Sequence, residues 1–258
     1  MTKLLEGKKG LILGVANKRS IAWGIAQSAA DNGAQLAFSY QGERLKENVE
    51  ELAKTLPGSL IFPCDVTDEG QVDAMFAGID KAWDGLDFVA HCVAYAKAED
   101  ISGRYVDTKL DGYNTALDVS AFSFTLIARK AEPLFEKRGG GSMLTLTYLG
   151  GVRVMPNYNV MGVAKAALEA GVRYLANDLG PKNIRVNAIS AGPVQTLAAR
   201  GIAGFVDMYK AAKEKSPLRR NTVPEEVGDA ATFLFSGLSR GVTGQVLYVD
   251  SGYNILAF

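Results

Sequence analysis

The sequence predicts a single α/β domain over residues 1–258, with about seven parallel strands in one doubly wound sheet and helices on both faces. Three observations carry that expectation. Segments short enough to be strands read as unbroken hydrophobic runs, the mark of strands covered on both sides. Stretches with helical spacing separate them from end to end, so each strand is followed by a crossover that returns the chain in parallel. The chain has 258 residues, 48% of them hydrophobic, which is enough for one large core without a second domain.

The first strand is read at Gly10-Leu11-Ile12-Leu13, with a helix from Ser20 to Asn32 that stops at Gly33. Leu36 to Tyr40 is the second strand, followed by a charged helix near Glu43 to Lys54. The third is Leu60-Ile61-Phe62, with a helix near Gln71 to Trp83. Phe88 to Cys92 is the fourth, and a long helix is expected from about Leu110 to Phe135, ended by Gly139 to Gly141. The fifth strand, Met143 to Thr147, leads to a second long helix near Tyr158 to Leu179. Ile184 to Ile189 is the sixth strand and Val246 to Val249 the last. No linker, repeat or low-complexity tract interrupts the series.

Doubly wound sheets bind ligands at the carboxyl ends of their strands, where the winding reverses. The segments starting at Gly14, Gln41, Asp65, Val93, Tyr148 and Ser190 fall on that edge. Two of them, Val93 to Thr108 and Ser190 to about Phe205, are long enough to be working loops.

Composition narrows the function classes. The 28 basic and 28 acidic residues cancel, and no basic block stands out, which argues against a nucleic-acid binder. No apolar run approaches the roughly 18 residues of a membrane span. The start, Met1 to Gly7, has no apolar signal-peptide core, so a soluble, cytoplasmic protein is expected. Cys64 and Cys92 fall at the ends of the third and fourth strands; with two strands between them they would lie about 14 Å apart, beyond disulfide reach. Both are read as reduced core residues. The lone His91 excludes a histidine-rich metal site, and its apolar neighbours read as those of a buried, hydrogen-bonded imidazole.

After the first strand comes Gly14-Val15-Ala16-Asn17-Lys18-Arg19-Ser20-Ile21. Gly14 permits a sharp turn, Ser20 stands at a helix N-cap, and the helix behind it aims free N–H groups and its positive end outward, as a pyrophosphate requires. The spacing departs from G-x-G-x-x-G, and an ordinary polar strand–helix loop explains the turn equally well. Gln41 ends the second strand where an acidic residue usually grips a ribose. Its neutral amide favours NADH over NADPH, with Arg44 left as a contact for a phosphate. Asp65 is placed to accept from an adenine amine with Val66 packing on the ring, or else to cap the next helix.

The stretch Tyr158 to Lys165 separates phenol from ammonium by seven positions, which returns to nearly the same helix face at about 100° per residue. Ala164, Ala166, Ala167 and Leu168 read as a buried helix, where a lysine needs a partner. A nearby cation is expected to lower the phenol's pKa toward working pH. Tyr148, ending the fifth strand, either hydrogen-bonds a substrate carbonyl or packs there.

With the Gly14-to-Ile21 turn, Ser39-Tyr40-Gln41, Cys64-Asp65-Val66, Tyr148, Pro156 to Lys165 and Arg185 to Pro193, the whole chain resembles a short-chain dehydrogenase/reductase. More specifically, it resembles the NADH-dependent enoyl-[acyl-carrier-protein] reductases of bacteria. The resemblance implies a Rossmann domain that reduces the trans-2 double bond of an acyl chain on acyl carrier protein. It implies Tyr158 and Lys165 as the catalytic pair, with Tyr148 shaping the acyl site. Gly14, Ser20, Ile21, Gln41, Asp65, Val66, Val93 and Lys165 would hold NADH, with Val194, Gln195, Thr196, Leu197 and Ala198 on its nicotinamide side. Ala96, Met161 and Phe205 would join the two tyrosines at the substrate. A flap lies within about 194–215, its mobile part Thr196 to Met208, and homotetramers would bury the two long helices. Ala94, Tyr95 and Gln195 replace the glycine, phenylalanine and arginine frequent in such enzymes.

Two other readings compete. A carbonyl reductase or alcohol dehydrogenase of the same superfamily would want a serine in the cleft from the fifth strand, and Ser142 comes too early. A dinucleotide-sensing protein without turnover would be expected to lack the tyrosine or the lysine.

Overall fold

The structure, a computed structural model, describes residues 3–197, 199 and 204–257. Its strands are β1 (Lys9–Leu13), β2 (Gln35–Tyr40), β3 (Leu60–Pro63), β4 (Phe88–His91), β5 (Gly141–Thr147), β6 (Ile184–Ala191) and β7 (Val246–Val249). All seven run parallel in one sheet, in the order β3-β2-β1-β4-β5-β6-β7. The chain winds outward from β1 to β3, then returns to lay β4 against the other side of β1. Winding therefore reverses between β1 and β4. The expected doubly wound architecture is present, with strand ends differing by one or two residues.

The alternation that places side chains on opposite faces of a strand builds two cores. Leu11 and Leu13 of β1 join one, and Ile12 between them joins the other. The first core is closed by α3 (Glu69–Trp83), α5 (Ser123–Lys137) and α6 (Asn159–Leu179). On the opposite face lie α1 (Ile21–Asp31), α2 (Glu43–Ala53) and α8 (Pro224–Phe235). β1, β4 and β6 are almost wholly buried, whereas edge strands β3 and β7 are partly open.

Three features depart from expectation. The long helix after β4 is three pieces: α4 (Leu110–Leu117), a π-turn over Asp118–Phe122, and α5. Buried Ser120 and Ser123 hold that turn, Ser120 exchanging hydrogen bonds with the Tyr95 backbone and Ser123 donating to the Val119 carbonyl at 2.7 Å. Next, α7 (Phe205–Lys215) and α8 occupy stretches with no helix assigned from sequence. Pro224 at the first turn of α8 suits its fixed φ, and the Glu226 carboxylate accepts from the Val223 N–H at 3.1 Å. Finally, Ser20 precedes α1 as expected but does not cap it; its hydroxyl donates back to the Asn17 carbonyl at 2.6 Å.

α8 matters because it carries α1, whose first residues face the strand edge. The two helices meet through glycines. A Cβ on Gly228 would lie 2.4 Å from the Gly24 carbonyl oxygen, and one on Gly24 would lie 2.5 Å from that of Pro224. Backbone cannot yield as a flexible side chain does. Gly228→Ala is therefore expected to destabilise the fold by about 1–2 kcal/mol net, overpacking outweighing the gain in helix propensity. Urea unfolding checks this; an unchanged or higher midpoint contradicts the close packing.

Candidate active site

The carboxyl edge of the sheet gathers the residues singled out from sequence. Gly14 follows β1 with φ of 91°, and a Cβ there would lie 2.1 Å from the Cys92 carbonyl oxygen after β4. Only glycine fits where the winding reverses. Gln41 follows β2 and donates to the Asp65 carboxylate after β3 at 2.7 Å, joining two strand ends. Thr67 also donates to Asp65, by N–H and hydroxyl. Burial works to raise that carboxyl, but the Thr67 and Gln41 bonds outweigh it and leave it below its usual range. Asp68, not Asp65, caps α3, accepting from the Gln71 N–H at 3.1 Å. Val66 is buried and Val93 partly so.

Beside this edge opens a cavity of about 450 Å³, lined mainly by apolar side chains. Ile21, Ala96, Tyr148, Tyr158, Met161, Val194, Thr196, Leu197 and Phe205 all line it, as do Ala94 and Tyr95. Gly14, Ser20, Gln41, Asp65, Val66, Val93 and the exposed Gln195 lie outside its wall. Ala198 falls outside the described residues.

Local backbone explains how Tyr158 enters. Asn157 and Asn159 both take positive φ, 58° and 28°, a region asparagine tolerates better than most residues. The Asn159 amide donates to the carbonyls of Ser102 and Gly103, each at 3.1 Å, pinning the start of α6 to the loop after β4. Tyr158 precedes α6 and its ring packs on Gly150, where a Cβ would lie 2.4 Å from the ring edge. Tyr148 meets that ring edge-on, centroids 5.2 Å apart. Its hydroxyl donates to the Met208 sulfur at 3.1 Å, a bond between two cavity-lining residues that joins the end of β5 to α7.

Lys165 lies behind the cavity, not in its wall. Its ammonium is buried and donates to the Leu146 carbonyl of β5 at 2.7 Å. Burial brings its pKa down to about 8, against the opposing pull of Cys92 and Glu169. The expected lowering of the Tyr158 phenol is not what the site does. Burial, then Tyr148 and Glu169, push it above its usual value, because desolvation disfavours phenolate and Lys165 is spent on a carbonyl. Tyr148 is raised as well, by burial first and then Tyr253 and Asp250.

The burial pattern of α6 also differs. Ala164, Lys165, Leu168 and Glu169 are buried, but Ala166 and Ala167 are exposed, being on the opposite face. His91 is the buried, hydrogen-bonded imidazole expected, 2.8 Å from the Ser123 hydroxyl, and burial followed by Lys165 brings it down to about 3, so it stays neutral. Cys64 and Cys92 are free thiols, each raised to about 12 by burial first.

Sequence reasoning passed over Thr147, Met208 and Glu169. Glu169 is buried four residues beyond Lys165 and accepts from the Thr147 hydroxyl at 2.6 Å. The (i, i+4) spacing of Lys165 and Glu169 was the available signal. Met208 had none, since only the folded α7 brings it to Tyr148.

A family model described as enoyl-(acyl carrier protein) reductase matches residues 14–254. A Bacillus cereus relative, named enoyl-[acyl-carrier-protein] reductase [NADH] FabI, is 56% identical, over 98% of this chain and 99% of its own. The crystal structure of the Bacillus cereus enoyl-acyl carrier protein reductase with NADP+ and indole naphthyridinone superposes with a TM-score of 0.97, at 55% identity over 99% of this chain and 100% of that one. The Anaplasma phagocytophilum reductase in complex with NAD gives 0.96, at 52% identity over 100% and 98%.

Lys165 burdens the fold when nothing occupies the site. Its folded pKa of about 8 lies below the ordinary 10.5, so the cost of charging it is fully present below pH 8 and fades as pH rises to 10.5. Lys165→Met is expected to exceed the parent in stability at pH 7 by on the order of 1–3 kcal/mol, net of the carbonyl left unpaired. That gap closes between pH 8 and 10.5. Urea titrations of both proteins at pH 7 and 10 measure it; a gap independent of pH contradicts the buried ammonium.

Proposed function

The chain belongs to the enoyl-(acyl carrier protein) reductase family, and on that premise we propose that it reduces the trans-2 double bond of an enoyl thioester on acyl carrier protein, with NADH as reductant. This is the last reductive step of each cycle of fatty-acid elongation. The observation that carries the reading is a Tyr158 phenol in the wall of an apolar cavity, with a buried ammonium behind it at the carboxyl edge of a doubly wound sheet.

The residues on that edge fit a dinucleotide. The Gly14 turn, Ser20 and Ile21 hold the pyrophosphate end at the start of α1. Gln41 serves the adenosine ribose with a neutral amide, in keeping with NADH, while Asp65 and Val66 frame the adenine. Val93 and the stretch of Val194, Gln195, Thr196, Leu197 and Ala198 lie on the nicotinamide side. Bound there, NADH supplies a hydride to acyl C3. Lys165 exchanges its bond to Leu146 for ribose hydroxyls, or shares it with them.

Tyr158 works as a donor. Burial keeps its phenol protonated, so the hydroxyl can hydrogen-bond the thioester oxygen as negative charge gathers there, and a proton taken up at C2 then completes the saturated product. Tyr148, edge-on to it, fixes its ring and shapes the acyl site with Ala96, Met161 and Phe205. The bond from Tyr148 to Met208 latches a flap within about 194–215 over the acyl chain.

The chain acts as one dinucleotide-binding domain, in the cytoplasm, as a homotetramer. Supporting the tetramer are Leu110, Phe122 and Tyr174, exposed on the two long helical segments, and the small exposed residues Ala166 and Ala167 on α6. Against a carbonyl reductase stands Ser142, which is buried and donates to the Leu234 carbonyl at 2.8 Å, away from the cavity.

Initial rates test the reading. NADH absorbance is expected to fall with a crotonyl thioester and to hold steady with a 3-ketoacyl thioester; the reverse overturns it. Tyr158→Phe is expected to lower kcat by about 10²–10³, the scale of losing an oxyanion donor, with NADH affinity kept. Lys165→Ala should weaken NADH binding as well. An unchanged rate in Tyr158→Phe removes the phenol from the mechanism.

A further inference from the structure

Glu169 is a buried carboxylate with no part in the chemistry described so far. It sits on α6 four residues beyond Lys165, so the two share a helix face. The Thr147 hydroxyl donates to it at 2.6 Å, in the range of a bond to an ionised acceptor. Thr147 ends β5, lines the cavity and precedes Tyr148. One residue earlier, the Leu146 carbonyl receives Lys165 at 2.7 Å. Two bonds of opposite direction thus join adjacent residues of β5 to adjacent turns of α6. Glu169 also fills the space over Gly151, where a Cβ would lie 2.9 Å from its Oε1.

We propose that Glu169 is a positioning residue: fastened by Thr147, its carboxylate keeps Lys165 an ammonium at the dinucleotide site and clasps α6 to the strand end that presents Tyr148. The inference rests on the reading of this site as one that binds NADH. An uncompensated ammonium in such surroundings loses its proton, and with it the charge-assisted bonds to a ribose. The ionisable groups acting on Lys165 are Glu169 from α6 and Cys92 from beyond β4, and Lys165 in turn acts on His91 of β4. Cys92 and His91 carry no charge near neutral pH, with the thiol raised to about 12 and the imidazole brought down to about 3. Tyr158 and Tyr248 face Glu169 and are both raised, so they too stay neutral. Of the groups named, Glu169 is the one carboxylate acting on this ammonium.

The test is NADH binding followed by its fluorescence from pH 6 to 10, for the parent, Glu169→Gln, Thr147→Val and Thr147→Ser. The parent is expected to weaken as pH rises through about 8, where Lys165 gives up its proton. Glu169→Gln keeps the shape and the acceptor for Thr147 but removes the charge. Its loss of affinity should begin about one pH unit lower, leaving NADH about fivefold weaker than the parent at pH 8, about tenfold weaker at pH 10 and near-equal at pH 6. Thr147→Val should move the profile the same way by less, and Thr147→Ser should restore it. A residue needed only for packing would weaken binding equally at every pH. Superimposable profiles for parent and Glu169→Gln overturn the proposal. Should Glu169→Gln fail to fold, the Thr147 pair decides, with identical Val and Ser profiles overturning it. Parent turnover of a crotonyl thioester is measured alongside: its failure with the binding shift intact sinks the reductase reading alone, and turnover without the shift sinks Glu169 alone.

Discussion

Lys165 reaches from α6 to the Leu146 carbonyl on β5, and the burial of that one ammonium constrains everything around it. A charge taken out of water must find acceptors and a counter-charge, or else lose its proton. The chain answers with a strand carbonyl, a carboxylate one turn along the same helix, and a hydroxyl to fasten that carboxylate. Each answer comes from β5 or α6. The helix that follows Tyr158 and the strand that leads into Tyr148 are drawn together by the electrostatics of one buried residue.

The fold puts this seam where it can serve. Winding reverses between β1 and β4, so helices diverge on either side and leave a crevice along the carboxyl edge. Gly14 and the Cys92 carbonyl approach at that reversal, and the Gln41–Asp65 bond continues the edge toward β3. β5, which carries the seam, pairs directly with β4. The Gly14 turn and the Lys165 seam are therefore held by neighbouring strands of one sheet, while much of the cavity wall is left to α7 and the loops after β4 and β6.

Much of this was legible in the sequence, because its signals are local or periodic. Unbroken apolar runs gave the strands, and Tyr158 and Lys165 stood out by type and spacing. What escaped depends on tertiary contact. The π-turn at Asp118–Phe122 exists because Ser120 must meet the Tyr95 backbone, a partner 25 residues away with no pattern to announce it. Helix α8 was not assigned from the sequence; its place follows from Gly228 packing on Gly24. The exposed Ala166 and Ala167 misled for another reason: small residues on a helix mark close approach, but not whether the approaching surface is this chain's own core or another copy.

The phenol's behaviour shows why proximity of charge is a poor guide to acidity in a site like this. Lys165 follows Tyr158 by seven residues, a spacing from which a favoured phenolate is expected. Yet its charge is already turned to a carbonyl and matched by Glu169, so desolvation dominates and the phenol keeps its proton. For a group that must give a hydrogen bond to an oxygen gaining negative charge, that is the useful state. A phenolate has nothing to donate and would repel the developing anion. Under the proposed roles, Glu169 acting on Lys165 would separate two tasks: an ammonium kept charged for the dinucleotide, and a phenol left neutral for the thioester. That arrangement costs stability in the unliganded chain, since burial disfavours the Lys165 ammonium. The cost falls at the carboxyl edge of the sheet, where binding of a charged ligand could recover it.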